Sequence, residues 1–329
     1  MLRREFITLV GSAAAWSCTA RAQQQSSPIR KVGLLMSARE GDAQGARQLE
    51  NFRSALEGFG WADGRNVSLV VRWSGGEPLL AKRYADELVG LAPDLIVAGS
   101  TIGLDAARSA AGKIPILFVA VSDPVVAGYV DSLARPGGNI TGFSSFDVDT
   151  GGKWLEIVRE AVPGVSRVGI LMNPDYAGYM ARWRAMEKLG PSFNVSLSVA
   201  AVRIGADIEN AMAGFAKEPN GALIVFSSAL TAANSALIVD AAKTYRLPTI
   251  YPFAFFAKKG GLISYGIDTL DLFQRSASYA DRILRGTSPR DLPVQEPVKF
   301  ELVINLKTAK ALGLEISPTL LARADEVIE

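Results

Sequence analysis

The 329-residue sequence has no histidine and a single cysteine, Cys18. The first absence removes the side chain that most often serves as a general base near neutral pH and as a metal ligand. Cys18 falls inside an N-terminal segment that reads as a removable export signal, so the rest of the chain offers no thiol for a disulfide or for nucleophilic catalysis. No Gly-x-Gly-x-x-Gly follows the first apolar run, where Ser37-Ala38-Arg39-Glu40-Gly41 stands instead, and no Gly-Lys-Ser/Thr phosphate loop occurs. Nucleophilic or metal chemistry would rest on carboxylates and lysines alone. The sequence therefore predicts no catalytic residue, no metal and no cofactor. An excess of one charge is missing too. Setting aside Arg3, Arg4, Arg21 and Glu5 reduces 35 basic and 33 acidic residues to 32 of each. A chain balanced in this way lacks the basic surplus that nucleic acid requires.

The N-terminus carries the first positive signal. Arg3 and Arg4 precede an apolar stretch from Ile7 to Trp16, and Ala20-Arg21-Ala22 closes it with a small-x-small pattern. This is the layout of a secretory signal, and the paired arginines followed by Phe6 resemble a twin-arginine export motif. The apolar part is about half the roughly 20 residues needed to cross a bilayer. Cleavage after Ala22 and a periplasmic, extracytoplasmic destination are expected. Lipid anchoring through Cys18 and an uncleaved anchor are the alternatives. No later apolar run reaches membrane-spanning length.

Beyond the signal, the chain repeats itself. Arg30-Lys31-Val32-Gly33-Leu34-Leu35-Met36-Ser37 returns as Ser166-Arg167-Val168-Gly169-Ile170-Leu171-Met172-Asn173. Asn66-Val67-Ser68-Leu69 returns as Asn194-Val195-Ser196-Leu197, Leu95-Ile96-Val97 as Leu223-Ile224-Val225, and Ile114-Pro115-Ile116 as Leu247-Pro248-Thr249-Ile250. The order is kept at a nearly constant offset, the mark of two copies of one unit. Within each copy, short apolar runs alternate with helix-period stretches such as Ala43–Phe59, where Leu49, Phe52, Leu56 and Phe59 recur at helical spacing. Such alternation predicts parallel sheets covered by helices on both faces: an α/β chain of two doubly wound, Rossmann-like lobes.

Several runs then point to a family. Ser122-Asp123-Pro124-Val125, Leu133-Ala134-Arg135-Pro136-Gly137-Gly138-Asn139-Ile140-Thr141-Gly142, Leu171-Met172-Asn173-Pro174, Tyr265-Gly266-Ile267-Asp268 and Phe300-Glu301-Leu302-Val303-Ile304-Asn305-Leu306 resemble the ABC-transporter substrate-binding family that includes the tryptophan/tyrosine-binding proteins. The resemblance covers essentially everything after the signal. It implies a type I periplasmic-binding (venus-flytrap) fold whose lobes are joined by three crossovers and close by hinge motion on a small ligand. A membrane permease is then the partner, and the protein is monomeric. Placed by the repeat, the crossovers are expected near Gly142–Ser145, Tyr251–Phe253 and Leu292–Glu296. That gives an export signal at 1–22, a first lobe of 28–143 plus 253–292, and a second of 144–252 plus 293–329.

In an open parallel sheet the ligand crevice forms at the carboxyl ends of the strands. Those ends are Ser37, Ser100-Thr101 and Ser122-Asp123 in the first copy, and Asn173, Ser227-Ser228 and Tyr251 in the second. Hydroxyls beside free N–H groups at a helix start suit a carboxylate, which gives Ser100, Thr101 and Ser122 that role; helix capping is the alternative use of the same hydroxyls. Tyr176, Tyr251, Phe253 and Tyr265 are candidates to stack on a flat ligand, against a purely core role. Asp268 is either the partner of a ligand amino group or an N-cap. The loops Asn173-Pro174-Asp175-Tyr176 and Ser227-Ser228-Ala229-Leu230 depart from the amino-acid-binding members, which brings a related small carboxylate alongside an aromatic amino acid as the expected ligand. An extracytoplasmic sensor that presents its ligand to a membrane receptor, and an α/β enzyme, are the competing readings.

Overall fold

The computed structural model describes residues 28–145 and 150–329. The signal segment with Arg3, Arg4, Cys18 and Ala22, and the expected cleavage after Ala22, lie outside the described residues. Two sheets organise the chain. The first is laid down by β1 (Arg30–Met36), α1 (Ala43–Gly58), β2 (Val67–Trp73), α2 (Pro78–Gly90), β3 (Leu95–Gly99), α3 (Thr101–Ala110), β4 (Ile116–Val121) and β5 (Ile140–Ser144). The second begins with α4 (Thr150–Ala161), β6 (Arg167–Met172), α5 (Ala177–Leu189), β7 (Ser196–Ala201) and α6 (Asp207–Phe215). It goes on through β8 (Gly221–Val225), α7 (Ala229–Ala233), α8 (Ser235–Thr244), β9 (Thr249–Tyr251), α9 (Ala254–Lys258) and β10 (Ile263–Ile267). Last come α10 (Thr269–Leu284), β11 (Phe300–Asn305), α11 (Leu306–Leu312), α12 (Pro318–Ala322) and β12 (Glu326–Ile328).

The internal repeat is visible in the strand order. The first sheet runs β2-β1-β3-β4-β5, and the second contains β7-β6-β8-β9 in the corresponding order before continuing to β10, β11 and β12. All pairings are parallel except β10 with β11, which run antiparallel and break the all-parallel expectation. Strand β1 shows why such runs are apolar throughout. Val32, Leu34 and Met36 pack with Phe52 and Leu56 of α1 and with Phe273 and Ala277 of α10. Leu35 faces the other way, onto Ala81, Ala85 and Leu88 of α2 and Ile102 of α3. With both faces covered, alternation disappears from the sequence. In the second lobe Val168, Ile170 and Met172 pack with Trp154, Val158 and Met186, while Leu171 joins Ile208, Met212 and Ile238.

The chain passes between lobes in three places. It leaves the first sheet after β5, and it returns to the second just beyond Gln295, which is hydrogen-bonded to the backbone of Gly142 and Ser144 at the edge of the first sheet. The expected crossing at Tyr251–Phe253 is not there. Tyr251 ends β9 and is buried, and β10 pairs with both β9 and β11, so residues 253–267 belong to the second lobe. The crossing falls at Asp268, where α10 sets out to pack on α1. A short apolar run specifies a strand but not which of two similar sheets receives it, and that is how the boundary was misplaced.

Candidate functional site

The lobes face each other across a cleft at the carboxyl ends of β1, β3, β4 and β8. Its innermost part is a cavity of about 50 Å³ lined by Ser37, Ser100, Thr101 and Ser122 from the first lobe and by Tyr179, Ser227 and Ser228 from the second. Phe253 and Phe255 of the second lobe and Phe273 of α10 supply aromatic walls, with Gln48 and Thr269 adding polar groups. No charged side chain is found among the described residues lining it. A contiguous outer chamber of about 340 Å³ shares Ser37, Gln48, Ala232 and Phe255 with it and brings in Arg39, Asp42 and Lys259 at the mouth.

The first-lobe wall is held in unusual backbone geometry. Ser100 has φ 142° and ψ 171°, a region reached essentially only by glycine, and Ala120 and Asp123 nearby have φ 60° and 42°. Strained non-glycine residues of this kind persist where surrounding structure enforces them, and they concentrate at ligand clamps. The geometry lets the Ser100 hydroxyl accept from the Gly103 N–H at 3.2 Å, capping α3, while the N-terminal end of that ten-residue helix opens on the cavity. The helix dipole and the uncapped N–H groups favour an anion at that end. Ser122 shares a 3.1 Å hydrogen bond with Ser145, tying the end of β4 to the first crossing.

Across the cleft, Ser228 is largely engaged in its own helix. Its hydroxyl accepts from the Thr231 N–H at 3.0 Å and its N–H donates to the Thr231 hydroxyl at 3.1 Å. Tyr179 was missed by the sequence analysis because it fell within an amphipathic helix and looked like core. In the structure it is in the first turn of α5, 5% exposed, with its ring edge-on to Tyr176 at 5.5 Å. It lines the same cavity as Thr101 and Ser122 of the opposite lobe, and burial pushes its ionisation well above the usual phenol range. The one available signal was its place just after the β6 loop, where first-turn residues border the crevice. Phe255 and Phe273 carried no such signal.

The remaining candidates lie away from the inner cavity. Asp123 accepts from the Val126 N–H at 3.2 Å, and Asn173 from the Asp175 N–H at 2.9 Å, each closing its own turn. Tyr176 is half-buried beside Tyr179. Tyr251 is a core residue stacked on Phe256 at 4.9 Å, and Tyr265 stacks on Phe300 at 6.0 Å while its carbonyl accepts from the Trp154 indole. Asp268 is the N-cap of α10, accepting from Leu270 and Asp271, and it pairs with Lys299 at 2.7 Å. Burial alone would raise its carboxyl, but the Lys299 ammonium and these N–H groups outweigh it and hold the carboxyl below the ordinary range. Of the two roles expected for it, capping is the one these bonds fill.

The lobes touch along the rim. The Arg39 guanidinium donates to Asn234 at 3.3 Å, and Lys259 is 3.9 Å from Asp42. Gly76, at φ 76°, lies so close to α7 that a Cβ there would sit 2.7 Å from the Ala229 carbonyl oxygen. Among the described residues no cluster of acidic side chains suited to a metal is present, and no helix is long and apolar enough to cross a membrane.

Residues 37–328 match the family described as ABC transporter substrate binding protein. A tyrosine-binding protein of Clostridioides difficile is 28% identical over 267 residues, covering 81% of this chain and 76% of that protein. The crystal structure of an ABC domain in complex with L-Trp from Streptococcus pneumoniae superposes with a TM-score of 0.84 at 24% identity, covering 92% of this chain and all of the other. A ligand-free, open substrate-binding protein with adhesive properties from Clostridium difficile, 26% identical and covering 91% of this chain and 99% of its own, superposes at 0.65.

Proposed function

We propose that this chain, which belongs to the family of ABC transporter substrate binding proteins, carries a small carboxylate, an aromatic amino acid or a close relative, to a membrane permease. The observation that carries the reading is the cleft itself: strand-end hydroxyls from two lobes meet over the N-terminus of α3, with Ser100 held in strained backbone to aim there. Thr101, Ser122 and the first N–H groups of α3 take the carboxylate, and Phe253, Phe255 and Phe273 flank an apolar or aromatic body. A binding protein must close on its ligand and then release it. Rim contacts made of one hydrogen bond, one long ion pair and a backbone approach suit a reversible closure.

The cavity of about 50 Å³ is far below the roughly 300–1,000 Å³ of a typical ligand site. The ligand therefore enters with the lobes apart, and closure follows. The better superposition on the L-Trp complex than on the open, ligand-free structure agrees with lobes drawn together here. In this reading the protein works as a monomer outside the cytoplasm, in the periplasm, after its N-terminal segment has directed export. A thermal-shift panel of L-tyrosine, L-tryptophan, L-phenylalanine, 4-hydroxyphenylacetate and indole-3-acetate tests it. A ligand at a hundredfold excess over its dissociation constant stabilises by about 2.7 kcal/mol. A shift with at least one compound, lost in Thr101→Val, is expected; no shift across the panel refutes the ligand class.

A further inference from the structure

Two cations meet at the mouth of the cleft, one from each lobe. Arg39 follows β1 in the first lobe, and its guanidinium crosses to the Asn234 side-chain oxygen of the second at 3.3 Å. Lys259 follows α9 in the second lobe. Its ammonium lies 5.5 Å from the centre of the Phe255 ring and donates to the Ser235 hydroxyl at 2.8 Å. Asn234 and Ser235 are consecutive, so both heads gather at the start of α8, where the helix dipole disfavours positive charge. The groups that hold them are neutral, and compensation from the chain is slight. Asp42 is 3.9 Å from Lys259 and has its other oxygen on the Gly45 N–H at 2.9 Å. Glu40, exposed on the same wall, is in no ion pair among the described residues. Both cations line the outer chamber of about 340 Å³, which shares Ser37, Gln48, Ala232 and Phe255 with the inner cavity. Unlike the inner cavity, that chamber reaches the roughly 300–1,000 Å³ of small-molecule sites.

We propose that the outer chamber is a second anion subsite and that the ligand is a dianion, such as a dicarboxylate, whose far group binds between Arg39 and Lys259. Its near carboxylate rests on the placement at the start of α3 adopted above; its far group rests on the two cations and their chamber. With a monoanion bound, drawing the lobes together brings two like charges to one spot, which costs free energy. A second anionic group on the ligand turns that cost into charge-assisted hydrogen bonds. Arg39 and Lys259 belong to different lobes, so they grip the far group together only when the lobes are closed. The far group therefore favours the closed state and drives closure by that difference in affinity.

Matched pairs of acids, titrated calorimetrically into the full chain, test this. 4-Carboxyphenylacetate is compared with 4-hydroxyphenylacetate, and adipate with hexanoate. In at least one pair the dianion should bind the parent about five- to tenfold more tightly, between the effect of an exposed ion pair and that of a charged hydrogen bond. The ratio within a pair is the readout, because an effect of a substitution on closure is common to both members. Arg39→Gln and Lys259→Gln should each lower that ratio, and the double variant should bring it to about one. Thr101→Val should weaken both members and leave the ratio as it is in the parent. Equal affinities within both pairs in the parent overturn the proposal. So does a ratio that survives in the double variant, or one that falls as far in Thr101→Val. If none of the four acids binds the parent, the reading of the near carboxylate fails, and inorganic phosphate alone decides on the mouth. Phosphate should then raise the melting temperature of the parent and of Thr101→Val, but not of the double variant. No rise in the parent, or a rise that persists in the double variant, overturns the subsite.

Discussion

Replacing Ser100 by glycine should make the protein more stable and worse at binding. The backbone there, φ 142° and ψ 171°, suits glycine and strains any other residue by about 1–3 kcal/mol. Against that relief stand two smaller losses. Exchanging a serine N-cap for glycine costs a few tenths of a kcal/mol, and the freedom glycine adds to the unfolded chain about 0.5–1 kcal/mol. The net is a gain of about 1 kcal/mol, which in a lobe of this size moves the melting temperature up by about 2–4 °C. Binding loses a hydroxyl aimed at an anion, worth about 1.5–3 kcal/mol, or roughly 10- to 150-fold in dissociation constant. Calorimetric melting of the ligand-free protein and titration with the active carboxylate measure the two effects separately. Ser100→Ala is the internal control, because it keeps the strain and removes the cap, and its melting temperature should fall. A glycine variant that melts lower than the parent would refute the strain argument. One that binds as well as the parent would refute the role of the hydroxyl.

Other substitutions separate closure from folding. Gly76→Ala places a methyl 2.7 Å from the Ala229 carbonyl only when the lobes are together, so binding should weaken by about 5- to 100-fold, as for an overpacked contact. Gly75→Ala, also at positive φ but next to the flexible Arg39 side chain, should lose similar stability with little change in affinity. Asp268→Ala removes the cap of α10 at a cost of about 1 kcal/mol in thermal stability at neutral pH, leaving carboxylate affinity unchanged. Asp268→Asn, which keeps a capping oxygen, should lose less. Since the folded carboxyl is held below its ordinary range, its contribution is fully present above the unfolded value near ~4 and disappears as pH falls through the folded one. The parent and Asp268→Ala should therefore converge in stability on acidification below about pH 4, as followed by melting at stepped pH.

Much of the architecture could be read from the residues, because an internal repeat is an internal control. The matches at Val32–Met36 and Val168–Met172, and at Leu95–Val97 and Leu223–Val225, fall on equivalent strands of two like-ordered sheets. The strand-end rule then gave Ser37, Ser100, Thr101, Ser122, Ser227 and Ser228, all of which line the inner cavity. The aromatics were read less well. Tyr251 and Tyr265 sit in or beside strands and point into packing, while the aromatic walls come from Phe253, from Phe255 on α9 and from Phe273 on α10. Phe273 belongs to the cleft only because α10 crosses to the first lobe, a long-range event that local periodicity does not encode. Tyr179 eluded detection for a related reason: its helix has a core-facing side, and only lobe closure turns its hydroxyl into a cleft group.

The late crossing has a consequence for how the chain is made. The first lobe begins at residue 30 yet is finished by α10, whose Phe273, Ala277 and Ala280 complete the packing of α1 against β1. A nascent chain that has not yet delivered residues 269–284 lacks one wall of its first core, however much of the second lobe has emerged. Premature compaction of the amino-terminal half is thus denied by topology. A translocation machine that needs a slack substrate would find one until the last fifth of the polypeptide appears, whereas a machine that accepts only folded cargo would have to wait for nearly the whole of it.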